Sequence, residues 1–319
     1  MIRLSHVYGV VPSRRLGRSL GVCTIPFKTC NYSCIYCQLG RTTNMTNTRQ
    51  TFYHPEEILN EARSFIEKYG KDSFDVVTVV GEGEPTLYKP LDSIVNGLRE
   101  LTDKPLVLIT NGSLLYERTL REEILDFDIV MPTLDAIDKE SFRKINRPFG
   151  KLRYERVYNG LLEFSKEFKG EIWLEVMLIK DYNDSDRFLG ELKNRIELLG
   201  PARVYINVPA RPPAEENVEI PEEETLRYAR ALLKAESIEE LPVSSFTTSE
   251  KKSLDAVIEI IKRHPMSEND IKSFVESQFN DEFVVDLLKR LNKNPNVEKN
   301  SYHGKDFYRY ILAGRRSGG

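Results

Sequence analysis

Apolar residues fall along this chain in short, nearly continuous runs that alternate with stretches where they recur three and four residues apart. The runs SLGVCTI (19–25), FDVVTVV (74–80), PLVLIT (105–110), FDIVMP (127–132), EIWLEVMLI (171–179) and ARVYINVP (202–209) predict strands. Being apolar on both faces, they suit a sheet covered on both sides. Helical patterns lie between them near 55–69, 90–100, 117–124, 138–145, 153–168, 184–199 and 221–235. Strand–helix units repeated in this way predict an α/β fold, a partial (β/α)6 TIM-like barrel with a parallel sheet, because each parallel crossover needs a dozen or more residues. Polar or glycine-rich segments follow the strands: GEGEPT, NGS, TLDA, KDYND and ARPPAEE. They mark the carboxyl edge of the sheet, where such folds place ligands.

The alternation stops near residue 236. A polar connector, ESIEELPVSSFTTSE, leads into KKSLDAVIEIIKRH, SENDIKSFVESQ and DEFVVDLLKRLNKN, each patterned as a helix. VEKNSYHGKDFYRYIL (297–312) then sets a His303–Gly304 turn between two β-prone arms. Three short helices and a hairpin predict a winged helix-turn-helix-like domain; a helical cap carrying a hairpin is the plainer alternative. The expected division is a barrel over 1–235, a linker over 236–250 and the small domain over 251–319.

The chain has 319 residues, 40% apolar and 30% charged, with a formal net charge of −3. That describes an ordinary globular composition and no global field for nucleic acid or an anionic membrane. No apolar run approaches the roughly 20 residues that span a bilayer, and the opening IRLSHVYGVVPSRR has no hydrophobic targeting core. A cytoplasmic address with no membrane partner is expected.

All four cysteines, Cys23, Cys30, Cys34 and Cys37, lie near the amino end, three of them inside CNYSCIYC. A disulfide clipping so short a segment would gain little in a chain able to build its own core. Structural zinc usually takes four ligands from two paired knuckles. Here Cys34 and Cys37 form one pair with Cys30 beside it, while Cys23 falls inside a predicted strand, from which it does not readily turn into the same loop. Three thiolates on one loop would leave an iron of a cubane cluster without a protein ligand, an open coordination position.

CNYSCIYC is similar to the C-x3-C-x2-C loop of the radical S-adenosylmethionine (SAM) superfamily, and the resemblance extends over about residues 18–235. It implies a [4Fe–4S] cluster on Cys30, Cys34 and Cys37, with SAM chelating the fourth iron. Tyr36 matches an aromatic position near adenine, with plain loop packing as its alternative role. GEGEPT (81–86) resembles the glycine–glutamate loop that holds the methionine amino group. Gly83 and Glu84 fall on its positions, whereas Glu82 replaces the usual first glycine. Thr110, Asn111, Thr133, Asp135, Glu175 and Asn207 stand at later strand ends as cofactor contacts, although polar residues there are also ordinary caps and turns. Beyond the cofactor, no catalytic residue is assigned.

The stretch VPSRRLGRSLGVCTIPFKTCNYSCIYCQLGRTT resembles more closely the Fe–S oxidoreductases related to the wyosine-forming tRNA enzyme. That enzyme carries further cysteines for a second cluster. This chain has only Cys23 beyond its triad, so the pyruvate-condensing reaction is not implied. The resemblance implies an enzyme that cleaves SAM reductively to a 5′-deoxyadenosyl radical and abstracts hydrogen from an unidentified substrate, with RNA one candidate. It also implies a low-potential electron donor of ferredoxin or flavodoxin type. Arg14, Arg15, Arg18, Lys28 and Arg211 are candidate substrate contacts, because guanidinium groups fit phosphate and carboxylate oxygens bidentately; a solvated basic flank is the alternative. From Lys251 onward thirteen Lys or Arg stand against ten Asp or Glu. RNA or a partner protein is accordingly expected at the small domain. The alternatives are a small-molecule or peptide enzyme with a protein-docking module, and a non-enzymatic Fe–S sensor.

Overall fold

A computed structural model describes residues 5–237, 254–263, 265–276 and 281–311. β1 (Val7–Ser13) and β2 (Gly17–Val22) form an antiparallel hairpin at the sheet edge. Two-residue strands β3 (Thr29–Cys30) and β4 (Asn44–Met45) pair in parallel and close the cysteine loop at its base. α1 (Pro55–Tyr69), β5 (Val76–Val79), α2 (Leu91–Leu101), β6 (Leu106–Thr110), α3 (Arg118–Glu123) and β7 (Ile129–Pro132) follow. After α4 (Lys139–Ile145) and α5 (Tyr154–Glu167) come β8 (Glu171–Met177), α6 (Asp186–Leu199), β9 (Arg203–Asn207), α7 (Glu223–Leu233) and β10 (Glu236–Ser237).

The main sheet runs β1-β2-β5-β6-β7-β8-β9-β10, parallel except for β1. All six expected strands are present, shortened at one or both ends. β1 is an addition: Gly9 at φ +103° and a register shift between Tyr8 and Val11 break the alternation that would have marked it. β10 carries the sheet two residues past the expected boundary at 235, and most of the linker lies outside the described residues.

One face of the strands contributes, with the covering helices, to the main core, which includes Leu20, Val22, Val77, Val79, Leu106 and Leu108. A smaller cluster of Val76, Val107, Met131, Trp173 and Tyr205 takes alternate strand positions. Leu16, from the turn after β1, packs into that second cluster, so the hairpin tip folds across this face of the sheet.

The small module contains α8 (Leu254–Arg263), β11 (Met266–Ser267), α9 (Glu268–Glu276), α10 (Asp281–Lys293), β12 (Val297–Tyr302) and β13 (Lys305–Tyr310). Its antiparallel sheet has the order β11-β13-β12. His303 and Gly304 both have positive φ, +46° and +72°, the geometry a two-residue hairpin turn demands. Val257, Ile261, Phe274, Leu287, Leu291 and Tyr308 help form its own core. No helix among the described residues is long and apolar enough to cross a membrane.

Candidate cofactor site

β2 delivers the chain to the loop and the β3–β4 pair closes it, with Thr46 N donating to Cys30 O at 3.1 Å. Turns at Cys34–Cys37 and Cys37–Gly40 are closed by backbone hydrogen bonds of 3.1 and 2.9 Å. Other parts of the fold hold the loop from outside. Ser33 N donates to Asn146 O, Ile35 N to Ile145 O, Phe149 N to Asn31 O, and Glu215 N to Ile35 O, all within 3.1 Å. Arg41 and Arg147 both donate to the Glu215 carboxylate, at 2.8 and 2.5 Å, and hold it below the usual carboxylate range.

None of the four cysteines is in a disulfide. Cys30 Sγ accepts from Tyr32 N at 3.4 Å and from the Asn111 amide at 3.7 Å; Cys34 Sγ accepts from the Asn146 amide at 3.7 Å. Burial pushes all three loop thiols up. Glu84 adds to this at Cys30 and Asp135 at Cys34, whereas backbone N–H groups and the cations Lys28 and Arg309 oppose it at Cys37. Cys23 is buried in the main core and donates to Ile25 O at 3.2 Å.

The GEGEPT loop lies directly against this segment. Glu84 N donates to Thr29 O at 3.1 Å and Lys28 N to Glu82 O at 2.6 Å. A Cβ on Gly83 would stand 1.8 Å from Thr29 O, so only glycine fits. The Glu84 carboxylate is buried and taken up by protein donors: Thr86 N, Thr86 Oγ1 and Thr110 Oγ1 on one oxygen, Asn111 N on the other, at 2.5 to 3.0 Å. It ties the loop to the end of β6. Asp135, at the end of β7, accepts from Tyr36 Oη at 2.6 Å, Met177 N at 2.8 Å and Asn146 Nδ2 at 2.9 Å. Burial raises its pKa to about 6 against those three donors.

A family model described as the radical SAM superfamily matches residues 24–189. The UPF0026 protein MJ1312 of Methanocaldococcus jannaschii is 34% identical over 312 residues, 96% of this chain and 96% of that protein. The chain belongs to the radical SAM superfamily and to the UPF0026 family. A protein named GTPase Obg from Brachyspira hyodysenteriae is 34% identical over 310 residues, 95% of this chain, and the chain spans 45% of its length. The solved structure of TYW1 with a lysine–pyruvate adduct bound superposes with a TM-score of 0.51 at 18% identity, covering 75% of this chain and 78% of that one. That likeness concerns the fold, a partial TIM barrel. The cofactors of a radical SAM enzyme are a [4Fe–4S] cluster and SAM.

Among the described residues no three His, Cys, Asp or Glu side chains converge on a single metal-ion position. The fit to a cluster therefore rests on the donors: three thiols on one loop, two of them with side-chain amides turned toward the sulfur. A crevice beside the loop is lined by Tyr32, Asn111, Thr133, Asp135 and Asn146, bringing three expected cofactor contacts together. Tyr36 lies within the same loop, and Gly83 packs against Thr29 at its start. Thr133 bridges to Glu175 in the sheet. The Asn207 side chain accepts from Val208 N at 2.9 Å, capping its own strand.

The expected cations do not gather in one place. Arg15 donates to Glu175, and Arg14 is exposed beside it. Arg18, at the start of β2, pairs with Asp75 at 2.7 Å, at the opposite end of that strand from the cysteine loop. Arg211 donates to Pro265 O in the small module at 3.0 Å. Lys28 Nζ would be 3.2 Å from a Cβ on Gly40, just past Cys37.

Sequence reasoning missed Asn31, Asn146 and Asn183. Asn31 bonds to Asn47, Asn111 and Ser113 behind Cys30. Asn183 donates to the Asp135 and Met177 carbonyls and accepts from Ile179 N. Asn146 ends α4 without any spacing that links it to Cys34.

Proposed function

We propose that Cys30, Cys34 and Cys37 bind the [4Fe–4S] cluster, that SAM lies between the cysteine loop and the Gly81–Glu84 loop, and that the enzyme abstracts hydrogen from a substrate held against the sheet. The single observation that carries this reading is the lacing of the two loops: Glu84 N on Thr29 O, with Gly83 pressed against the same carbonyl. The bound cluster and nucleoside supply the 5′-deoxyadenosyl radical, given an electron from a low-potential donor of ferredoxin or flavodoxin type. The protein supplies binding, orientation and exclusion of water. Arg15 and Glu175 form a partly buried pair at the hairpin tip that a charged substrate group would meet.

The substrate is more consistent with a small molecule or peptide than with RNA, because two cations of the module's hairpin are already committed. Lys299 pairs with Asp306 at 2.8 Å and Arg309 with Glu298 at 2.7 Å. We read the module, over 251–319, as winged-helix-like and turned to protein contact. Anaerobic reconstitution tests the core of the proposal. About four irons per chain and slow SAM cleavage under a strong reductant are expected. Cys30→Ala, Cys34→Ala and Cys37→Ala should each abolish both, while Cys23→Ala keeps its iron. Equal loss from all four replacements would reject the three-ligand assignment.

A further inference from the structure

Arg263 is the last residue of α8 in the small module, yet its side chain lies inside the contact with the barrel. Its guanidinium Nε stands 2.9 Å from Glu82 Oε1 as an ion pair rather than an aligned hydrogen bond, and the two side chains are 6% and 2% exposed. Nη2 donates to Ser5 O at 2.6 Å, and the guanidinium carbon sits 4.2 Å from the Tyr8 ring centre. The Arg263 carbonyl accepts from Gln38 Nε2 at 3.4 Å, one residue past Cys37. A single residue thus touches the Gly81–Glu84 loop, the cysteine loop and the amino-terminal hairpin. Further contacts run alongside it: Tyr302 Oη donates to Pro209 O at 2.7 Å, and Tyr310 meets Phe27 edge to face at 5.9 Å.

Burying a charge is costly unless an opposite charge accompanies it. Glu82 stands where the superfamily's loop commonly has glycine, and a glycine there would remove the anion that Arg263 faces. The substitution within the loop and the cation on the module therefore form one feature. The loop is held at two points by two carboxylates: Glu84 fixes it to β6, and Glu82 fixes it to the module.

We propose that the small module is a wall of the cofactor site, with Arg263 a positioning residue that holds the Gly81–Glu84 loop in its SAM-binding geometry. Affinity for SAM then depends on the module being docked, and anything that binds the module and shifts its docking changes that affinity. The inference rests on the placement of SAM given under the proposed function.

The test uses the full chain as Arg263→Gln, Arg263→Lys and Glu82→Gln, each reconstituted anaerobically. Iron content, SAM affinity by calorimetry and hydrogen exchange over residues 80–86 are measured. Arg263→Gln and Glu82→Gln should keep their iron and lose affinity by about tenfold, within the span common for coupled sites. Arg263→Lys should lose less, because it keeps the cation. Exchange over 80–86 should rise in the glutamine variants, with or without a cluster. That arm stands even if wild-type protein fails to bind SAM, a failure that would overturn the proposed function instead. Unchanged exchange, or wild-type affinity despite faster exchange, would overturn the positioning role. Should the single variants fold poorly, Glu82→Gly with Arg263→Met removes both charges together. It should fold and still bind SAM weakly, and wild-type affinity in that variant would reject the proposal.

Discussion

Residue by residue, the site is decided by close approach and by who accepts from whom. Gly83 has no room for a methyl group, and the obstacle is the Thr29 carbonyl, a backbone atom that cannot swing aside. Gly83→Ala should cost about 1–3 kcal/mol, toward the upper end of overpacking penalties, and should weaken SAM binding; a denaturant melt and a binding titration check it. Asp135 gives a pH signature. Burial raises its folded pKa from 3.8 to about 6, so the folded state holds the proton more tightly than the unfolded chain does. Stability is then lost as pH rises between those values and levels off above about 6. In thermal melts without cofactor, the midpoint of Asp135→Asn minus that of wild type should climb from pH 4 to pH 6. A flat difference would show that Asp135 titrates normally. The three cysteines were legible because sequential spacing alone puts them on one loop. Asn31 and Asn146 were not, since their partners are 80 and 112 residues away. Glu84 was legible as a position, but its carboxylate serves donors of its own loop and of the β6 end rather than standing open.

At the scale of elements, the parallel strands could be read because burial on both faces leaves continuous apolar runs, and the helices because their apolar stripes repeat with the turn. β1 escaped because a register shift and Gly9 erase its period. That strand carries the turn which sends Leu16 and Arg15 across the sheet face, so the missed element also shapes the face that the proposed function assigns to the substrate. The segment after β9 braces the cysteine loop through Glu215. Arg41 is 71% exposed, which makes its half of the brace weak, whereas Glu215 is 13% exposed and also lends its backbone N–H to Ile35. Glu215→Ala should speed hydrogen exchange over 33–42 and shorten the life of the reconstituted cluster in air, with little change in the melting of the barrel. An unchanged exchange pattern over 33–42 would show that β3, β4 and the α4 contacts suffice.

Over the whole molecule, the module's hairpin and helix pattern was legible, but its orientation was not: nothing in the spacing of α8 says that Arg263 would reach Glu82, 181 positions earlier. The orientation commits one of the module's cations, and pairing inside the module commits two more. Arg263 is spent on the barrel, Lys299 on Asp306 and Glu268, and Arg309 on Glu298, in a chain whose net charge is −3. A protein that neutralises 6–10 phosphates loses affinity steeply with salt, with a slope of about −0.9 per contact on duplex nucleic acid and about −0.7 on single strands. Cations already paired within the protein release few counterions, because each new phosphate contact must displace a carboxylate. Bulk RNA should therefore be retained weakly by the full chain, with a logarithmic salt slope no steeper than about −2, between roughly 50 and 200 mM salt. A slope near −6 in a filter-binding titration would mean that the module rearranges to free its cations on contact with RNA. It would return nucleic acid to the head of the substrate candidates.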